Sequence, residues 1–401
     1  MVRAVVTGAA GFLGGAITHA LRQSGAEVTA LDIRRAPGVT VADITRPGEW
    51  ERALDGADLV VHAAAVGTGG VAELTPVRAG RAGGPVRVPA GEVRRVLLAG
   101  TANLLDAAGR SGVDRFVHLS CVNVVGAASA ASPGTARSDR SGPAASGPAA
   151  GPGTLVDESA PVGLTGDVRA DALAAAEQTV ASAAAHGLGA SVVRVGDAYG
   201  ARAGRWTLWP VLLLRAGRFV LVSGGRGILS PVHVDDVVGA VAAVAAAPRD
   251  TVAGEVLQVT GGESVSAADF FGYYVDMLGL PAPRSVPVGV VGALDGWERL
   301  RALAEDRRVG SGSGSTAAGG GRSLVRGVGA RLGAGVDPRA RVDIGPLGVR
   351  ELTRERGFST ARIRELIGWA PSVPLADGMS RTQDWLQERG LLGVREPSRR
   401  G

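Results

Sequence analysis

Residues 7–14, Thr-Gly-Ala-Ala-Gly-Phe-Leu-Gly, constrain the fold of this chain more than any other stretch. The apolar run Arg3 to Thr7 before them reads as a buried strand, and Gly11 to Ser24 after them reads as a helix. A glycine-rich turn between a strand and a helix offers free backbone N–H groups and a positive helix end, with no side chains in the way, which is what a pyrophosphate needs. Gly8 is expected to make the turn, Gly11 to let the backbone approach the phosphates, and Gly14 to let helix and strand pack closely, with Phe12 and Leu13 opening the helix. A second strand, Glu27 to Asp32, ends in an acid 18 residues after Gly14. Asp32 is thereby placed to accept hydrogen bonds from the adenosine ribose hydroxyls. A carboxylate there repels a 2′-phosphate, so the pattern favours NAD, while Arg34 and Arg35 directly after it keep NADP open.

Apolar runs and amphipathic stretches go on alternating, which is the pattern of βαβ units and a parallel sheet. Further strands are expected at Asp58 to His62, Asp114 to Leu119 and Ser191 to Val195, with helices over Glu92 to Ser111 and Asp167 to His186. Two C-terminal helices are expected within Gly357 to Gly368 and Leu375 to Leu392. Residues 127–154 and 309–337 are runs of Ala, Ser, Gly and Pro or of Gly and Ser, too poor in apolar anchors to offset their ordering entropy, and read as flexible insertions. Gly67 to Gly91 is ambiguous by the same criterion.

Composition narrows the chemistry. The 401 residues carry 43 basic and 38 acidic side chains, and every basic one is arginine. Any mechanism resting on a lysine is excluded. Codon bias in a GC-rich genome accounts for most of this, as it does for the 62 glycines. A net charge of +5 over this length does not suggest nucleic-acid binding. A single cysteine, Cys121, excludes an internal disulfide and a cysteine metal cluster, no metal site is expected, and the chain reads as cytoplasmic. The apolar start holds four glycines and no small-residue cleavage site, and the longest later apolar run, Val237 to Ala247, is too short for a bilayer, so no membrane partner is expected.

With these motifs in view, the sequence resembles the extended short-chain dehydrogenase/reductases, or NAD-dependent epimerase/dehydratase family. The likeness rests on TGAAGFLG at 7–14, ADI at 42–44, VVHAAA at 60–65, AGTANLLDAA at 99–108, RFVHLSCVNVVG at 115–126, VVRVGDAYG at 192–200 and SPVHVDDVVGAV at 230–241. It implies an α/β fold: a Rossmann doubly wound parallel sheet with a smaller, split C-terminal substrate lobe. Residues 1–200 would form the NAD(P)-binding domain, and 201–401 mainly the substrate lobe, with 229–260 returning to the Rossmann domain. The resemblance implies that Asp43, with Ile44 beside it, meets the adenine and that Ala63, Ala64 and Ala65 line the cofactor. The second half is most similar to the 3β-hydroxysteroid dehydrogenase-like branch, through GGRGILSPVHVDD, EVLQVTGGESVSAADFF and RGFSTARIRELIGWAPSVPLADGMSRTQDWL.

At the catalytic centre the chain departs from that pattern. The family uses a tyrosine as proton donor or acceptor, one helical turn from a lysine that lowers its pKa, with a Ser or Thr and an Asn completing the set. Counting back from Gly126 puts the Ser/Thr position at Cys121. Counting back from the Ala176-Glu177 pair puts the lysine at Leu173 and the tyrosine at Arg169, and the Asn falls on Leu97. No shift of register restores the pair, because there is no lysine and the only tyrosines are Tyr199, Tyr273 and Tyr274.

Arg169 is too basic to act as a general base but could clamp an anion. Cys121 could be a nucleophile if its pKa were lowered, or a small thiol filling a serine's volume. His62, His233 and Asp197 are further candidates that read better as structural, and Arg78, Arg81 and Arg87 would suit an acidic substrate. Two functions stay open. One is an atypical oxidoreductase or epimerase acting on a hydroxyl or keto group of a sterol-like or sugar-like small molecule. The other is a redox-silent cofactor-binding protein. The expected partners are a small-molecule substrate and, at most, a second copy of the chain in a homodimer.

Overall fold

The computed structural model describes residues 1–66, 88–125, 155–291 and 347–392. The two expected insertions, Gly126, Arg78, Arg81, Arg87 and most of Gly67 to Gly91 lie outside the described residues. In chain order the strands are β1 (Arg3–Thr7), β2 (Glu27–Asp32), β3 (Thr40–Val41), β4 (Leu59–His62), β5 (Arg115–Cys121), β6 (Ala190–Val195), β7 (Asp197–Tyr199), β8 (Val220–Val222), β9 (Ile228–Leu229), β10 (Pro231–His233), β11 (Val256–Val259), β12 (Val265–Ser266) and β13 (Arg284–Val286).

Seven of them form one sheet in the order β11-β6-β5-β4-β1-β2-β3. All six pairings in it are parallel. Strand order runs outward in both directions from β1 and β4, the doubly wound arrangement, so the connecting helices cover both faces. One apolar cluster, including Val6, Ile17, Val61, Val193, Val237 and Val241, packs one face. A second, including Val5, Leu31, Trp50, Leu54, Leu104 and Phe116, packs the other. Strands buried on both faces are continuous apolar runs, which is why β1, β4 and β6 were legible as strands from composition alone.

The expected helices are present with small differences. The first spans Phe12–Gln23, and Val168–Ala185 is capped by Asp167, whose carboxylate accepts from the Arg169 and Ala170 backbone N–H groups at 3.0 and 2.8 Å. The helix expected from Glu92 starts earlier, at Ala90, and runs to Arg110 through a wider π-type turn at Arg95–Gly100. Such turns recur at functional sites, and this one carries Leu97.

A third cluster holds the second lobe together: Tyr199, Trp206, Trp209, Phe219, Phe270, Phe271, Tyr274 and Met379. Its elements are Trp209–Arg215, Ala267–Leu278, Leu375–Glu388 and the short pairs β8 with β13 and β9 with β12. Among the described residues no helix is long and apolar enough to cross a membrane.

Candidate active site

Where the winding direction reverses, β1 and β4 leave a crevice at their C-terminal ends, with Thr7 beside His62. A cavity of about 300 Å³ opens there and extends towards the second lobe. Every residue singled out for the cofactor lines it: Gly8, Gly11, Phe12, Leu13, Gly14, Asp32, Asp43, Ile44, Ala63, Ala64 and Ala65. So do Cys121 and Arg169.

The glycine turn is held from both sides. Gly8 has φ +71°, and a Cβ on it would lie 2.5 Å from the Ala63 carbonyl oxygen. A Cβ on Gly14 would lie 2.2 Å from the Gly8 carbonyl oxygen. The Gly11 N–H donates to that same oxygen at 2.9 Å, closing the turn. Asp32, 7% exposed, accepts from the Ala10 N–H at 3.0 Å and the Arg34 N–H at 2.9 Å, and the Arg34 guanidinium closes on it at 3.3 Å. Arg34 is thus drawn onto Asp32 through its Nε.

At the far end of the crevice, Asp43 accepts from the Thr45 N–H at 3.0 Å and its hydroxyl at 2.6 Å, which holds its carboxyl below the usual range. Arg95 bonds Thr45 and Glu92 beside it. This polar rim left no motif in the chain, because the contact that joins its two halves, Arg95 to Thr45, spans 50 residues. Together the tight turn, the anchored acid and the small wall Ala63–Ala65 fit an NAD dinucleotide.

His62, His118 and His233 are buried. Thr101 donates to the Leu97 carbonyl at 2.7 Å, so it accepts from His62 Nε2 at 2.9 Å, and His62 Nδ1 accepts from Thr7 at 2.7 Å. His62 is buried, and desolvation holds its pKa well below the ordinary value. His118 packs 5.2 Å from it, with both ring nitrogens unpartnered and its pKa lowered to about 4 by burial. His233 accepts from the Asp235 N–H at 3.3 Å and caps its helix.

The expected catalytic positions separate into two groups. Leu97 and Leu173 are both buried and belong to one apolar cluster with Val93, Val122 and Phe358. Cys121 faces the cavity; burial pushes its thiol up, and the Arg169 and Arg205 guanidiniums oppose that without reversing it. The thiol is therefore protonated near neutral pH. Ser120 also lines the cavity, with a buried, unpartnered hydroxyl. No tyrosine does: Tyr199 and Tyr274 are buried in the second lobe, and the Tyr274 hydroxyl donates to the Trp206 carbonyl at 2.7 Å.

Asp197, a candidate from the sequence, lines the cavity, is fully buried, accepts from the Ser230 N–H at 2.8 Å and pairs with Arg354; its partners and Glu351 were missed. Glu351 accepts from Asn123 and pairs with Arg205, with the Gly348 N–H at 3.0 Å. Residues 351 and 354 lie beyond the Gly/Ser-rich stretch and carried no motif.

Comparison with known proteins gives the lineage. The model of the "NAD dependent epimerase/dehydratase family" matches residues 4–260. A curated relative, 3-diazoavenalumate denitrifying reductase from a Streptomyces species, is 35% identical over 337 residues, 79% of this chain and 95% of the relative. Among solved structures, DesIV, a dTDP-glucose 4,6-dehydratase from Streptomyces venezuelae with NAD and TYD bound, superposes with a TM-score of 0.63 at 22% identity, covering 97% of this chain and 98% of that one. MoeE5 in complex with UDP-glucose and NAD gives 0.61 at 19%, covering 96% and 99%. At these identities the two structures establish a shared fold. With the family model and the curated relative, they assign the chain to the NAD-dependent epimerase/dehydratase family.

Proposed function

We propose that this protein is an NAD-dependent reductase whose hydride acceptor requires no proton from the enzyme, in the class of diazo compounds. The observation that carries this reading is the cavity beside the glycine turn. No tyrosine lines it, Arg169 stands at the position the resemblance gives to the tyrosine, and Leu173 lies in an apolar cluster with Leu97.

Reduction of a carbonyl leaves an alkoxide that must be protonated, which is the task of the usual Tyr/Lys pair. An arenediazonium differs. Hydride adds to its terminal nitrogen, N2 departs, and the hydrogen ends on carbon, so no proton is drawn from the protein. The relative at 35% identity bears a name that describes a denitrifying reduction of a diazo compound.

Bound in the crevice, NADH would supply the hydride. Gly11 would let the backbone approach its pyrophosphate, and Asp32 would accept from the ribose hydroxyls. The apolar cluster that holds Leu97 and Leu173 packs behind Cys121, and the protonated Cys121 presents a small, weakly polar wall to the cavity. An acceptor of the keto type, sterol-like or sugar-like, is less well served, because no tyrosine stands in the cavity to protonate its alkoxide.

The test is NADH oxidation by the purified chain with benzenediazonium, set beside NADH oxidation with ketones, NAD+ reduction with secondary alcohols, and chromatographic detection of product from UDP-glucose and dTDP-glucose. The expected result is diazonium turnover above the rate with NADH alone, releasing one N2 per NADH. Turnover of a ketone or sugar nucleotide without turnover of the diazonium overturns the reading. Tight NADH binding with no turnover on any of them establishes the redox-silent alternative.

A further inference from the structure

The charge balance at the substrate end of the cavity is uneven. Three guanidiniums, those of Arg169, Arg205 and Arg354, gather around two buried carboxylates, Asp197 and Glu351. Arg354 is held by Asp197 and does not line the cavity. Arg205 is held by Glu351 through one terminal nitrogen, while its Nε is buried without a partner. Arg169 forms no ion pair among the described residues, and its Nε is likewise buried and unpartnered. The nearby Asp167 carboxylate is exposed and already accepts the two amides that cap the helix.

Leaving buried guanidinium donors unbonded costs free energy. Both arginines line the one cavity, and an anion there would supply the acceptor that they lack. Three guanidiniums against two buried carboxylates leave one positive charge, which matches a single carboxylate and falls short of a diphosphate. Trp206, next to Arg205 and 5% exposed, supplies a flat apolar wall at the same end. A planar carboxylate also fits the fork of a guanidinium with two parallel hydrogen bonds.

We propose that Arg169 and Arg205 form a carboxylate subsite, and that the substrate is an aromatic monocarboxylate seated with its acid on these arginines and its ring on Trp206. The proposal rests on the reading of this cavity as the substrate site. It adds a recognition element that the hydride step does not require. Arg169, on this assignment, is a binding residue standing where the family places its acid.

The experiment is calorimetric titration of the full chain, loaded with NAD+, with cinnamate and with cinnamamide. Cinnamate is expected to bind at least about tenfold more tightly than its amide. Arg169→Met, which strips the subsite without orphaning a carboxylate, is expected to weaken cinnamate about 10- to 100-fold and leave cinnamamide unchanged. Arg169→Lys should restore part of the loss, and the melting temperature of each variant guards against unfolding. Equal binding of acid and amide, no binding of cinnamate, or unchanged affinity in Arg169→Met each overturns the proposal. Because binding is read without turnover, a chain that binds cinnamate on Arg169 yet reduces no diazonium would refute the proposed reaction and leave the subsite standing.

Discussion

Substituting Gly14 by alanine tests whether the nucleotide turn is held by contact distance. The added Cβ would lie 2.2 Å from the Gly8 carbonyl oxygen and 2.7 Å from its carbon. A carbon and a carbonyl oxygen that are not bonded rest at about 3.3 Å, so about 1 Å must open between helix and turn. Gly8 cannot retreat, since its own Cβ position already lies 2.5 Å from the Ala63 backbone on the other side. The Gly11 N–H to Gly8 O bond would break as the turn is displaced. Overpacking of this kind costs about 1–3 kcal/mol and the lost hydrogen bond about 1, against a gain of up to about 1 from alanine's helix preference. The net is about 2 kcal/mol, divided between stability and NAD affinity according to how far the turn relaxes before ligand arrives. Urea denaturation and NAD+ calorimetry on one preparation read both parts. Gly272, inside the helix Ala267–Leu278, is the matched control, because a Cβ there meets nothing within 4 Å. Gly272→Ala is expected to stabilise by about 0.5–1 kcal/mol and leave NAD binding alone. If Gly14→Ala matches the unsubstituted chain in both measurements, or if the control is as damaging, close approach is not what Gly14 provides.

Glu177 and Arg194 are buried and bonded at 2.7, 3.1 and 3.1 Å, so Glu177→Leu should cost about 3–5 kcal/mol by stranding the guanidinium, while Glu177→Leu with Arg194→Met should recover most of it; a double-mutant cycle by urea denaturation in which the pair is additive would refute the coupling. His118 binds a proton in the unfolded chain below about pH 6.5 but in the fold only below about 4, so its contribution is fully present above 6.5 and is lost as pH falls from there to 4. That amounts to about 3 kcal/mol, and His118→Leu should flatten the stability–pH curve over this window, whereas an unchanged slope would place the acid sensitivity elsewhere.

The nucleotide half of the site was legible because its constraints are local. Gly8, Gly11 and Gly14 sit within one turn, and β1, β2 and β4 are apolar runs with abrupt ends. Glu177 could be seen as an anchor for counting, but its partner Arg194 lay hidden in an apolar strand, since only packing reveals which helix covers β6. The substrate half was not legible. Asn123 meets Glu351 across 228 residues, and Arg205 meets the same acid across 146. Neither pairing leaves a periodicity or spacing in the chain. The two-residue strand β3 and the π-type turn at Arg95–Gly100 escaped for a different reason: both are set by tertiary packing and not by propensity.

The dependence of the cavity on Glu351 and Arg354 also sets an order of assembly. Thr7, Gly8, His62 and Ala63 come together within the first 63 residues, so the nucleotide turn can close early, at small loop-closure cost. The arginine cluster has to wait until Glu351 and Arg354 return to Asn123 and Asp197, bridged further by the Val156 N–H to the Gly357 carbonyl at 2.9 Å. During synthesis, then, a chain released before Glu351 would hold every residue of the nucleotide turn while Asn123, Arg205 and Asp197 still lacked the partners that Glu351 and Arg354 provide.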